Sequence, residues 1–157
     1  MIVLDLKAVG FAVALLSVSN ALGQRAKPYV LLPESSAQEV SKLCSREGPK
    51  VDGTWTPTAA DLQGLEGKLS QLSKLKSNGG MTGIHIANPA RYYRQYVAVV
   101  VAGRKLIYIN AFSGDLEPGD SWHKRLENIC DGGLGTWGAL YDPETRVFSE
   151  LKTNGVA

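Results

Sequence analysis

The sequence predicts an α+β fold: a four-stranded, mainly antiparallel sheet with one long helix and one or two short helices packed on it. Three observations carry this. Residues 92–102 (YYRQYVAVVVA) and 105–112 (KLIYINAF) are dense in β-branched and aromatic residues, with a glycine turn between them. Leu62, Leu65, Leu69, Leu72 and Leu75 recur at spacings of three and four, the stripe of an amphipathic helix. Helical and extended patterns are also segregated along the chain, in the order helix, helix, two strands, short helix, two strands.

The chain opens on a different kind of segment. Residues 8–18 (AVGFAVALLSV) are apolar without interruption, and Ser19, Ala21 and Gly23 place small residues just beyond them. A run of this length is too short for a bilayer core of about 30 Å, which takes about 20 helical residues. With Lys7 ahead of it, the pattern predicts a signal peptide over residues 1–23, although Asp5 cancels the charge of Lys7. Cleavage would leave Gln24 or Leu22 at the new terminus. Residues 24–157 are then one exported globular domain, periplasmic or extracellular, with no stable membrane anchor after cleavage.

The elements of that domain follow in order. Residues 24–33 read as an extended lead-in, with Tyr29-Val30-Leu31-Leu32 between two prolines. Ser35 or Ser36 caps a short helix reaching Leu43, and Glu39 stands at capping-box distance from Ser36. Residues 45–53 form a loop, marked by Gly48-Pro49 and Asp52-Gly53. Thr58 and Asp61 make a second capping box at the start of the long helix, where Asp61 also meets the positive end of the helix dipole. Gly64 and Gly67 each cost that helix about 1 kcal/mol relative to alanine, which implies close packing or a weak helix.

Gly103-Arg104 is expected as a type II′ turn pairing Ala102 with Lys105, Val100 with Ile107 and Val97 with Asn110. One face of the hairpin then carries Gln95, Val97, Val99, Leu106, Tyr108 and Asn110, the other Tyr92, Arg94, Tyr96, Ile107 and Ile109. Neither is cleanly polar, so both are covered at least in part. Residues 120–128 read as a short helix bearing Trp122 and Leu126, and residues 136–141 and 145–151 as two more strands joined at Asp142-Pro143-Glu144.

This layout resembles small uncharacterised exported bacterial proteins with no assigned activity. The residues that carry the resemblance are the leader, Arg94-Gln95-Tyr96, the strand from Tyr108 to Phe112 and the turn Cys130-Asp131-Gly132-Gly133. It implies no catalytic or binding residue. A cystatin-like arrangement of sheet on helix is an analogy of shape and licenses no function.

Composition and motifs bound the function more by exclusion. The formal charge is +2, from 17 basic and 15 acidic residues, with no clustered basic stripe, so nucleic acid is not the expected partner. Cys44 and Cys130 are the two cysteines, and in an exported chain they read as one disulfide. The glycine-rich residues 131–136 lack the Gly-Lys-Ser/Thr ending of a phosphate loop and lead into a strand, so they read as a turn. His85, between two isoleucines, reads as structural, and the spacing of Asp115, Glu117 and Asp120 is not that of a calcium loop. No cofactor, metal ligand or catalytic residue is assigned.

The leading expectation is a soluble binding or interaction module whose partner is an unknown protein or envelope ligand. For such a module the contact surface is Tyr92, Arg94 and Tyr96, on the solvent side of the hairpin, because tyrosine joins a large apolar surface to a polar tip; the competing reading, which ranks ahead of it, is that these tyrosines cover the core. The alternative is a small hydrolase or transferase using His123 with Asp120 or Asp131. That reading needs His123 in a concave pocket with convergent polar groups.

Overall fold

The computed structural model describes residues 28–116 and 119–156. The expected leader and the N-terminus at Gln24 or Leu22 lie outside the described residues. Five strands form one sheet in sequence order: β1 (Tyr29–Leu31), β2 (Tyr93–Val101), β3 (Arg104–Phe112), β4 (Thr136–Asp142) and β5 (Val147–Thr153). β1 lies parallel to β2, and every other neighbouring pair is antiparallel. The fold is therefore α+β with five strands, not four. The lead-in between the two prolines supplies the extra strand, because an extended run beside the open edge of β2 satisfies its backbone groups there.

The chain between β1 and β2 wraps both faces of the sheet. First comes a 3-10 helix, Glu34–Lys42, entered from Pro33 with no side-chain cap. The capping box expected at Ser36 does not form. Ser36 lies inside the helix, is buried, and donates its backbone N–H to Pro33 O. Next, Asp52 and Gly53 exchange backbone hydrogen bonds with Val100 on the outer edge of β2. The principal helix, α1 (Ala59–Lys68), follows. Its Thr58–Asp61 capping box is complete in both directions. Leu65, Leu69 and Leu72 are buried on the sheet, while Leu62 and Leu75 are partly so.

After Lys68 the backbone tightens into a 3-10 helix, Leu69–Lys74. The two helix glycines differ. A Cβ at Gly64 would stand 3.2 Å from the Tyr141 hydroxyl, whereas one at Gly67 would meet nothing within 4 Å. Gly64 is thus a close approach, and Gly67 only weakens the last turn of α1.

The β2–β3 turn sits one residue earlier than expected. Val101 pairs with Arg104 and Val97 with Tyr108, so Ala102 and Gly103 form the corner. Both have positive φ, 49° and 76°, as a type I′ turn requires. The left-handed conformation at Ala102 is held by its N–H, which donates to Asp52 Oδ2 at 2.7 Å. The displaced register still preserves the parity of the strand, so each hairpin residue stays on its expected face.

Two clusters fill the two faces. On the α1 face, Leu65, Leu69, Leu72, Tyr96, Ile107, Ile109, Trp137 and Tyr141 pack together. On the opposite face, Ala37 and Val40 of the first 3-10 helix cover Val97, Val99 and Leu106, with Leu126 and Leu140 beside them. The short helix expected over residues 120–128 is a single 3-10 turn, Asp120–His123, and Trp122 and Leu126 are both buried.

Candidate functional site

Arg94 and Tyr96 share one strand face with Tyr92, but that face is the covered one. Arg94 is 1 % exposed and Tyr96 is fully buried. Arg94 Nη2 donates to Glu66 Oε2 of α1 at 3.1 Å, and Nη1 donates to Ala90 O and Tyr92 O. The Tyr96 hydroxyl donates to Glu66 Oε1 and accepts from Arg94 Nε. Burial first, and the Glu66 charge next, push the Tyr96 phenol well above its ordinary range. Tyr92 is half-buried, edge-on to Trp137, with its hydroxyl on Leu134 O. The solvent-side surface expected of these three residues is corrected: Arg94 and Tyr96 lock α1 to the sheet. Arginine is a mostly exposed type and tyrosine an intermediate one, and here a carboxylate on α1 supplies the partner that both need when buried.

The other sequence candidates are also placed. Cys44 and Cys130 form a disulfide, with Cα atoms 5.5 Å apart. His123 is exposed and stacks on Trp122, ring centroids 4.0 Å apart. No ion pair joins it to Asp120 or Asp131 among the described residues. Asp131 instead exchanges hydrogen bonds with Ser45 across the disulfide. His85 places Nδ1 3.1 Å from Ser73 O, the structural role expected of it.

A second polar network lies on the opposite face, and the sequence reading missed it. The disulfide ties residue 44 to Cys130 in the loop that precedes β4, and two residues after Cys44 Arg46 turns inward to 7 % exposure. Its Nε donates to the Tyr108 hydroxyl at 2.8 Å, Nη1 to Asn154 Oδ1 and Nη2 to Asn110 Oδ1. Asn110 passes the network to Gln95 at 2.8 Å and to Glu127 O. Gln95 in turn donates to Trp122 O and Arg125 O and accepts from Glu127 N. The available signal was Gln95, Tyr108 and Asn110, three polar positions on an otherwise apolar strand face, since buried polar groups require partners.

Beside this network the sheet face is bordered by a cleft and not by a helix. The first 3-10 helix covers the β1–β3 half of that face, and a cleft of about 350 Å³ occupies the β3–β5 half. Val101, Leu106 and Leu140 form an apolar floor, and residues 47, 49 and 50 form one wall. Lys152 of β5 fastens that wall by donating Nζ to Glu47 O at 3.0 Å. Ser149 and Glu150 border the open side, where β5 carries an irregularity and Glu150 has φ of 53°. Gly138 and Tyr108 also line the cleft.

At its outer end Arg104 pairs with Asp142. Burial would raise the Asp142 carboxyl, but hydrogen bonds from Thr145, Glu144 and Arg104 together hold it below the usual carboxylate range. Among the described residues, no group of three or more acidic, histidine or cysteine side chains could hold a metal ion.

No protein-family model, curated protein or solved structure matches this chain. Its functional reading therefore rests on the geometry alone.

Proposed function

We propose that this protein is an exported binding module and that the cleft over β3, β4 and β5 is its binding site. The observation that carries the reading is the composition of that cleft: a recessed apolar floor with polar side chains gathered around it. A site of this kind retains a ligand by area and orients it by a few hydrogen bonds. The enzyme alternative is less well supported. His123 is exposed, does not line the cleft, and has an aromatic ring as its close neighbour.

Export is supported by the disulfide, which persists in oxidising compartments, and by the apolar leader of the sequence. No helix among the described residues is long and apolar enough to cross a membrane. The cystatin-like analogy is supported only by a helix lying across one face of an antiparallel meander, and it brings no partner with it.

A blocking variant tests the reading. Ser149 is exposed, borders the cleft and is a member of neither core cluster, so Ser149→Trp lays its ring over the cleft floor from outside the core. Small apolar probes that raise the melting temperature of the wild type are expected to have no such effect on Ser149→Trp. Equal shifts in both proteins would remove the cleft from consideration. Intact mass of the exported protein is expected to give an N-terminus at Gln24 or Leu22, and a species retaining Met1 would argue against export.

A further inference from the structure

The inner end of the cleft specifies what kind of ligand it takes, and this inference rests on the binding reading above. Three features converge there. Tyr108 is 3 % exposed, and its hydroxyl accepts the Nε–H of Arg46. A guanidinium only donates, so the hydroxyl's own hydrogen is directed elsewhere, and no acceptor for it is found among the described residues. The second feature is the charge behind that hydroxyl. Arg46 is buried against Tyr108, Asn110 and Asn154, all neutral. The ion pairs among the described residues are Arg94–Glu66 and Arg104–Asp142, and Arg46 is in neither. A buried cation ordinarily has a counter-charge.

The third feature is the route between this pair and the cleft. A Cβ at Gly138 would stand 2.3 Å from the Tyr108 hydroxyl oxygen and 2.8 Å from Arg46 Nε. Gly138 is in the interior of β4, where a glycine marks a close approach. Its missing side chain leaves room for the Tyr108 hydroxyl at the wall of the cleft, with the Arg46 guanidinium behind it. The lining also holds Lys50 and Lys152 against Glu47 and Glu150, and Lys50 and both glutamates are exposed.

We propose that the cleft binds a small amphipathic anion, an apolar body ending in a single carboxylate. The carboxylate accepts the Tyr108 O–H, which the Arg46 charge behind it polarises, and charge-assisted bonds of this kind are the strong ones. The apolar body lies along Val101, Leu106 and Leu140. Binding is non-covalent and breaks no bond in the protein.

The test is a calorimetric titration of the disulfide-intact protein with octanoate, 1-octanol and octylamine, three probes with one apolar body and different ends. Octanoate is expected to bind at least tenfold more tightly than either of the others. Ser149→Trp is expected to lower octanoate affinity at least tenfold. Tyr108→Phe is expected to lower octanoate affinity similarly and to leave octanol unchanged. If octanol binds as tightly as octanoate and Ser149→Trp blocks both, the cleft stands as a binding site and the anion class is overturned. If none of the three binds, the binding reading of the cleft falls with it. Octanoate binding that Ser149→Trp leaves unchanged overturns the assignment to this site. Should Tyr108→Phe fail to fold, the probe series and Ser149→Trp still decide the question.

Discussion

The two buried arginines among the described residues sit on opposite faces of one sheet and are stabilised in different ways. Arg94 faces α1, meets the Glu66 carboxylate at 3.1 Å, and is sealed under the helix. Arg46 faces the other way, lies two residues after a disulfide cysteine, and among the described residues has neutral hydrogen-bond partners alone. A buried charge with its counter-ion is a structural lock. A buried charge with no counter-ion, behind a hydroxyl that lines a cleft, is what we propose as a recognition group. The difference lies in what covers each half of the sheet, since α1 closes one face and the short 3-10 helix leaves half of the other open.

The largest effect should come from the disulfide. Replacing both cysteines, Cys44→Ser with Cys130→Ser, frees a loop spanning 86 positions, for which chain entropy gives up to about 4–5 kcal/mol. Urea denaturation measures the loss. Hydrogen exchange should localise it, with faster exchange around residues 43–50 and slower-exchanging α1 little changed. Uniform acceleration over both faces would mean that the disulfide is not what holds Arg46 in place.

A smaller loss is expected on the α1 face. Glu66→Gln keeps an amide acceptor but strands the Arg94 charge. Removing one partner of a buried pair costs about 3–5 kcal/mol, and because Glu66 is a quarter exposed we expect about 2 kcal/mol. Chemical denaturation compared with the wild type reads it directly. A change near zero would show that Arg94 needs no counter-charge, and the contrast between the two arginines would lose its basis. Smallest of the three is Thr58→Ala, which removes the cap of α1 at about 1 kcal/mol. It should lower the melting temperature and leave probe binding in the cleft unaffected. A change in binding would couple α1 to the opposite face.

Local chemistry was the legible part of the fold. The Thr58–Asp61 box, the leucine stripe and the face of every hairpin residue follow from spacing, and all three are present. Helix type was less legible, because Glu34–Lys42 and Leu69–Lys74 differ from α-helix only in how the backbone tightens under packing. The turn register slipped because Gly103 fits either a type I′ or a type II′ corner, and Asp52, fifty residues earlier, provides the hydrogen bond that favours the first.

Site reasoning failed at Arg94 and Tyr96 for a related cause. Period two shows which residues share a face but not which face α1 covers. Asp52 and Glu66 act across the chain, and periodicity contains no information about such distant partners. The cleft depends on the same kind of contact, since Arg46 reaches Tyr108, Asn110 and Asn154 from far along the sequence.

The central claim is that the Arg46–Tyr108 end of the open cleft recognises a ligand, while the Arg94–Tyr96 lock does not. Backbone amide chemical-shift mapping during an octanoate titration tests it most directly. The account predicts saturable shifts at Val101, Leu106, Tyr108, Gly138 and Leu140, with Glu66, Arg94 and Tyr96 unmoved. Shifts concentrated around Glu66, Arg94 and Tyr96, with the cleft residues still, would contradict it.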